Sequence, residues 1–201
     1  MSDILTQLKE RTAPQHQRAE QNKYTAAMLD RTMTLEQYQE YLALFYGYIL
    51  PLERAFEARP EWDELRFDIG ARTKHRLIEA DLHALGWDSR AIDHLPLCQA
   101  LPLLSSFSRV LGCMYVLEGS TLGGQMLTKL LMKNLPVSPD TNARYFNSYG
   151  PDVRERWSEF RDLLSAHART EEDEREMLAA AGETFDRLRD WIEAPNGTVS
   201  R

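Results

Sequence analysis

Three groups of residues in this chain combine types and spacings that could do chemistry: glycines inside an apolar run, a histidine on an apolar stripe, and histidines in step with a carboxylate. The run YVLEGSTLGGQMLTKLL, Tyr115 to Leu131, is strongly apolar yet carries Gly119, Gly123 and Gly124. Each glycine costs a helix interior about 1 kcal/mol relative to alanine, so the run gives up helical stability in return for something. Two readings stand. Another helix approaches closely, or something flat and bulky touches the backbone in a slot that the missing Cβ atoms open and a kink widens. His16 ends the series Ile4, Leu8, Thr12, His16, whose steps of four place all of them on one helical face. It is either a surface or satisfied core histidine or a lone ligand. His75, Glu79 and His83 also share a face, a spacing that could hold a metal, but the surrounding RTKHRLIEADLHAL is charged and reads as a solvated face. Cys98 and Cys113 form no CxxC and read as reduced thiols of a cytoplasmic protein. There is no pair of Glu-x-x-His motifs for a di-iron centre, no nucleophile elbow and no phosphate or dinucleotide fingerprint.

The elements that must position these residues are helices. Apolar residues recur at steps of three and four almost throughout, and alternation of period two is scarce, which predicts an all-α fold. Pro14 is expected to end, kink or restart the first helix, with Thr12 as an N-cap. Thr34 and Gln37 predict a capping box for a second helix, which Pro51 should bend. A third helix is expected over ARTKHRLIEADLHAL, closed by Gly86. A long helix is expected from Leu103 to Leu135, kinked at its glycines and ended by Pro136. Pro151 suits the first position of a helix reaching Ala168, and a last helix should start at Thr170 with its acidic run at the positive end of the dipole. One domain is expected over 1–194, with a flexible C-terminal tail over 195–201.

Composition narrows the function classes. The chain has 201 residues and 23.2 kDa, enough for one substantial core. At 43% hydrophobic and 27% charged it is an ordinary globular sequence. A net charge of -7 argues against nucleic acid as a partner. The longest apolar stretch, Val110 to Leu117, falls far short of the ~20 residues of a membrane span, and the N-terminus lacks the pattern of a secretory signal.

Two separated segments together resemble heme oxygenases of the bacterial type. LKERTAPQHQRAEQ is similar to the family's proximal helix, and His16 falls at its axial iron ligand. YVLEGSTLGGQ resembles the glycine-rich distal helix, and RLIEADLHALG is a weaker third match, to a helix behind the pocket. The resemblance implies a single-domain helical bundle with heme held between a proximal and a kinked distal helix. It implies cleavage of heme to biliverdin, CO and Fe2+, with heme as cofactor and substrate, O₂ consumed, and electrons drawn from a separate donor, a ferredoxin or flavoprotein reductase. On this likeness His16 binds the iron. Gly119 and Gly123 leave room for O₂ and steer it toward a heme edge carbon, with no strong acid beside them. Mammalian-type members carry aspartate after the glycine matching Gly119; here Ser120 stands there, and its hydroxyl or that of Thr121 replaces part of the distal water network. Lys9, Lys129, Arg156 and Arg161 are the cations expected at the two propionates, ahead of Arg154, while Tyr115 and Gly124 line the heme. A non-catalytic heme carrier or sensor on the same fold is the alternative. A thiamin-degrading enzyme of similar architecture would need a catalytic cysteine, which neither cysteine's context suggests.

Overall fold

The computed structural model describes residues 3–194, so the tail expected over 195–201 lies outside it. Among the described residues the ordered elements are helices, nine of them α-helical, joined by turns and two 3-10 segments.

Helix α1 (Ile4–Glu20) begins at Asp3, whose carboxylate accepts from the Leu5 N–H. It continues through Pro14, which neither ends nor restarts it. Pro14 and Glu10, whose carbonyl loses its donor to the proline, are both exposed, so water can satisfy that carbonyl. Thr12 caps nothing; its buried hydroxyl donates back to the Leu8 carbonyl at 2.7 Å. After α2 (Lys23–Leu29), α3 (Leu35–Glu57) opens with the expected box: Gln37 N–H to Thr34 Oγ1 at 3.2 Å, and Thr34 N–H to Gln37 Oε1 at 2.9 Å. Pro51 lies inside α3 and has no N–H for the Gly47 carbonyl; the Cys98 N–H donates to it instead, at 2.9 Å.

The short α4 (Glu61–Leu65) and a 3-10 turn at Gly70–Arg72 lead to α5 (His75–Ala84). Helix α5 therefore starts later than the sequence suggests. Its first N–H groups are capped from another helix: Glu53 accepts from Lys74 N at 2.7 Å and from His75 N at 3.0 Å. Gly86 closes it at φ +92°, as expected of a C′ glycine. Helix α6 (Ser89–Asp93) precedes α7 (Phe107–Leu131), which is shorter at both ends than the expected 103–135. Ser106 caps it through the Arg109 N–H, and Arg109 Nε donates to the Leu103 carbonyl at 2.6 Å, holding that segment outside the helix. The α-helical pattern of α7 is unbroken across Gly119–Gly124. Pro151 sits in a 3-10 turn, Gly150–Asp152, that feeds α8 (Val153–His167). A Thr170–Asp173 capping box starts α9 (Glu171–Glu193), with four acidic residues in its first turn.

Helix α7 packs against α8 and α9; α1 packs on α9, and α3 on α5. One buried cluster joins α1, α3, α7, α8 and α9 through Leu8, Tyr48, Val110, Leu111, Phe160 and Met177. Another gathers Tyr24, Tyr41, Leu42, Ile49, Ile78 and Phe146. Each such side chain contributes about 1.5–3 kcal/mol by leaving water. Cys98 and Cys113 are buried and free, and burial pushes the Cys113 thiol up to about 12. No helix of the described residues is long and apolar enough to cross a membrane.

Candidate functional site

A cavity of about 420 Å³ opens between these layers, within the size range of small-molecule sites. Helix α1 brings His16, Ala19 and Glu20 to it; α7 brings Val116, Leu117, Leu127 and every residue from Gly119 to Gly124. Aromatic residues form much of the rest: Tyr41, Phe45 and Tyr48 of α3, Phe185 of α9, and Tyr145 and Phe146 from the segment between α7 and α8. The two elements that the sequence singled out thus line one cavity.

His16 is more than half exposed, its ring 5.1 Å from that of Phe185. Its Nε2 lies 3.1 Å from Glu20 Oε1, one helical turn on. Glu20 is a site residue that the sequence reading missed, although the step of four from His16 was there to be seen.

The three glycines divide the two readings between them. A Cβ at Gly123 would meet nothing within 4 Å, so this position faces open space. A Cβ at Gly119 would rest 3.5 Å from the Trp157 ring, an ordinary contact. A Cβ at Gly124 would run into the carbonyl oxygen of Phe146, so this glycine answers to close packing. Ser120 Oγ donates to the Leu117 carbonyl at 2.8 Å, and buried Thr121 Oγ1 to the Glu118 carbonyl at 2.6 Å. Both hydroxyls keep acceptor capacity only.

A buried ion cluster stands behind the glycines. Glu118 is 2% exposed and pairs with Arg72 (Nη1–Oε2 2.6 Å) and with Lys74 (Nζ–Oε1 2.5 Å). The Tyr149 hydroxyl donates to the same carboxylate at 2.9 Å. Lys74 reaches the cavity wall, yet its three N–H donors are engaged by Glu118, the Arg72 carbonyl at 2.9 Å and Tyr149 at 3.3 Å. Burial works to lower the Lys74 pKa, but Glu118 and the other anionic partners outweigh it and hold the ammonium above its ordinary value. Burial, followed by Lys74 and Glu118 acting in opposite senses, leaves the Tyr149 phenol pushed up to about 12. Arg72 extends the cluster to Glu159 at 2.9 Å, and Glu53 carries it to His75 Nδ1 at 2.6 Å. Of these residues only His75 was singled out in the sequence, and there as a possible metal ligand rather than as a partner of Glu53. The available signal was Glu118 itself, since a carboxylate in so apolar a helix needs buried partners.

The remaining predicted residues are dispersed. Lys9 and Lys129 are exposed and outside the cavity lining. Tyr115 packs 5.6 Å from the Trp157 ring, also outside the lining. Arg156 reaches Glu159 at 3.4 Å. Arg161 is also outside the lining, but its Nε is buried without a hydrogen-bond partner, and its guanidinium lies 5.9 Å from the centre of the Trp157 ring, which itself abuts Gly119. His75, Glu79 and His83 do not gather at one point: His83 Nε2 lies 4.0 Å from Glu79 and its Nδ1 2.9 Å from the Trp87 carbonyl, but His75 turns away to Glu53.

Comparison with known proteins points one way. The family model described as heme oxygenase matches residues 2–194. Comparison with curated protein sequences returns no match. Among solved structures, the chain is similar to the NO- and CO-bound heme oxygenase of Neisseria meningitidis, with a TM-score of 0.77 at 20% identity over 98% of this chain and 96% of that one. It is also similar to a heme oxygenase from Leptospira interrogans, at TM-score 0.77 and 17% identity, covering 95% and 98% of the two chains. A cyanobacterial heme oxygenase from Synechocystis, in complex with heme, gives 0.74 at 15% identity over 98% and 94%.

Proposed function

The chain belongs to the heme oxygenase family, and from that premise we propose that the cavity between α1 and α7 is its heme site, with His16 as the iron ligand. The family's activity is the oxidative cleavage of heme to biliverdin, CO and Fe2+. When bound, the iron supplies activation of O₂ and the macrocycle is the substrate oxidised. The observation that carries the site assignment is the single imidazole sharing one largely apolar cavity with the Gly119–Gly124 backbone. A flat, mostly apolar ring system with one metal at its centre fits that donor set.

The chain's own groups then have definable tasks. His16 offers a nitrogen, which requires Glu20 to leave Nε2. Gly119 and Gly123 keep side chains out of the opposite wall, and their backbone groups orient what binds there. Ser120, its proton given to the Leu117 carbonyl, serves there as an acceptor. Lys74 brings positive charge to the wall while Glu118, the Arg72 carbonyl and Tyr149 hold its protons. O₂ and an outside electron donor, a ferredoxin or flavoprotein reductase, complete the reaction. A cytoplasmic setting suits the two free thiols. The test is an absorption titration of the protein with hemin, followed by ascorbate or a reductase system: a Soret band that gives way to a bile-pigment spectrum is expected. A band that persists under electron supply would mean carriage or sensing without cleavage.

Gly123 and Gly124 should behave oppositely. Gly123→Ala is expected to leave stability equal or raise it by about 1 kcal/mol while weakening hemin binding. Gly124→Ala should cost about 1–3 kcal/mol because Phe146 must move. Thermal melts and hemin titrations of the two variants separate cavity from packing.

We assign a propionate to Arg161 ahead of Arg156. A buried guanidinium nitrogen without a partner has donor capacity to give, whereas Arg156 is engaged by Glu159. Arg161→Ala should weaken hemin binding about tenfold and Arg156→Ala by less than about twofold. Equal losses from both would remove the assignment. Lys9, two turns before His16, is the second cation proposed at this mouth, with Lys129 as a further candidate.

A further inference from the structure

The cavity wall formed by Tyr145 and Phe146 lies in the non-helical segment between α7 and α8, where no helix fixes its position. Its anchor comes from α5. Asp81 is fully buried, and its two carboxylate oxygens each take one backbone N–H of that segment: Oδ1 from Arg144 at 3.0 Å, Oδ2 from Tyr145 at 2.9 Å. The Arg144 guanidinium adds a contact to Oδ1 at 3.4 Å. A buried carboxylate placed on two adjacent amides fixes both the position and the orientation of the chain, since both oxygens must be satisfied together. The next residues reach the cavity. The Tyr145 ring lies 5.1 Å from Phe45, and Phe146 meets Phe45 edge-on at 6.0 Å, while the Phe146 carbonyl rests against Gly124. The wall is thus clamped between the Asp81 carboxylate and the α7 backbone.

We propose that Asp81 is a positioning residue that sets the Tyr145–Phe146 wall, and through it the depth and rotation at which a tetrapyrrole seats and the edge carbon presented to α7. This rests on the heme reading of the cavity. An asparagine at position 81 keeps the shape but turns an NH₂ toward one of the two amides, so one bond is lost and a donor faces a donor.

The test uses Asp81→Asn, with Gly124→Ala displacing the same wall from the other side. In the heme-free protein, exchange of the Arg144 and Tyr145 amide hydrogens should quicken about tenfold or more in Asp81→Asn, with α9 unchanged. With hemin and electrons, both variants should spread the product over more than one biliverdin isomer, resolved by chromatography, with the hemin Kd raised more than turnover is slowed. A role confined to stability would lower the melting temperature and leave the isomer ratio as in the wild type, and that result overturns the proposal. So does unchanged exchange at Arg144 and Tyr145. A wild-type protein that binds no hemin would instead overturn the heme reading, and the exchange measurement would still report on the clamp alone.

Discussion

His16→Ala is expected to abolish the Soret band that the wild-type protein gains with one equivalent of hemin, and to lower heme turnover by a hundredfold or more. Loss of even an outer-shell partner of a metal ligand typically costs 10–100-fold, so loss of the ligand itself should exceed that range. The other four histidines lie outside the cavity lining. His75 is tied to Glu53, and His83 to the Trp87 carbonyl. His94 Nδ1 bonds the Arg90 carbonyl at 2.7 Å, and His167 packs on Phe107, its pKa lowered by burial. His16 is the one histidine in the cavity lining. Because its side chain is 55% exposed, the substitution should change stability by no more than about 0.5 kcal/mol. An unaltered melting temperature together with a lost Soret band would isolate ligation from folding. A variant that keeps a wild-type Soret band would show that the iron is held elsewhere.

Glu118→Ala is expected to destabilise the protein by about 3–5 kcal/mol, which for a domain of this size lowers Tm by about 10 °C. The cause is not the loss of favourable energy in the ion pairs. Removing Glu118 leaves Arg72 and Lys74, 4% and 3% exposed, as buried cations without their shared counter-charge. Glu118→Gln should cost less than alanine, since the amide still accepts a hydrogen bond, but more than Glu159→Gln, whose parent carboxylate is 47% exposed and screened by water. Thermal unfolding followed by circular dichroism ranks the three. If Glu118→Ala melts with the wild type, the cluster does not hold α7 in place. The cluster also bears on chemistry, since it sits one residue before Gly119 and fixes Lys74 at the cavity wall.

Much of this protein was legible along the chain. The step of three and four residues predicted the helices, and the Thr34–Gln37 box, Thr170 and Gly86 predicted where three of them begin or end. Motif likeness to a known family singled out His16 and the glycine run. These signals concern neighbours within about a turn, and the local backbone alone satisfies them. The sequence could not say that α1 passes through Pro14, because that depends on the surface being wet there. Nor could it say that α5 starts at His75, because its cap is Glu53, 22 residues earlier on another helix. Whether Gly123 or Gly124 opens toward the cavity was decided by where the Phe146 carbonyl comes to rest. The same holds for the free Arg161 Nε against the engaged Arg156, and for Glu118, whose partners Lys74 and Arg72 lie 44 and 46 residues away. Periodicity and capping are written in consecutive residues and survive without the fold. The partner of a buried charge and the space beside a glycine are set only when distant segments pack, because burial removes the water that would otherwise satisfy either.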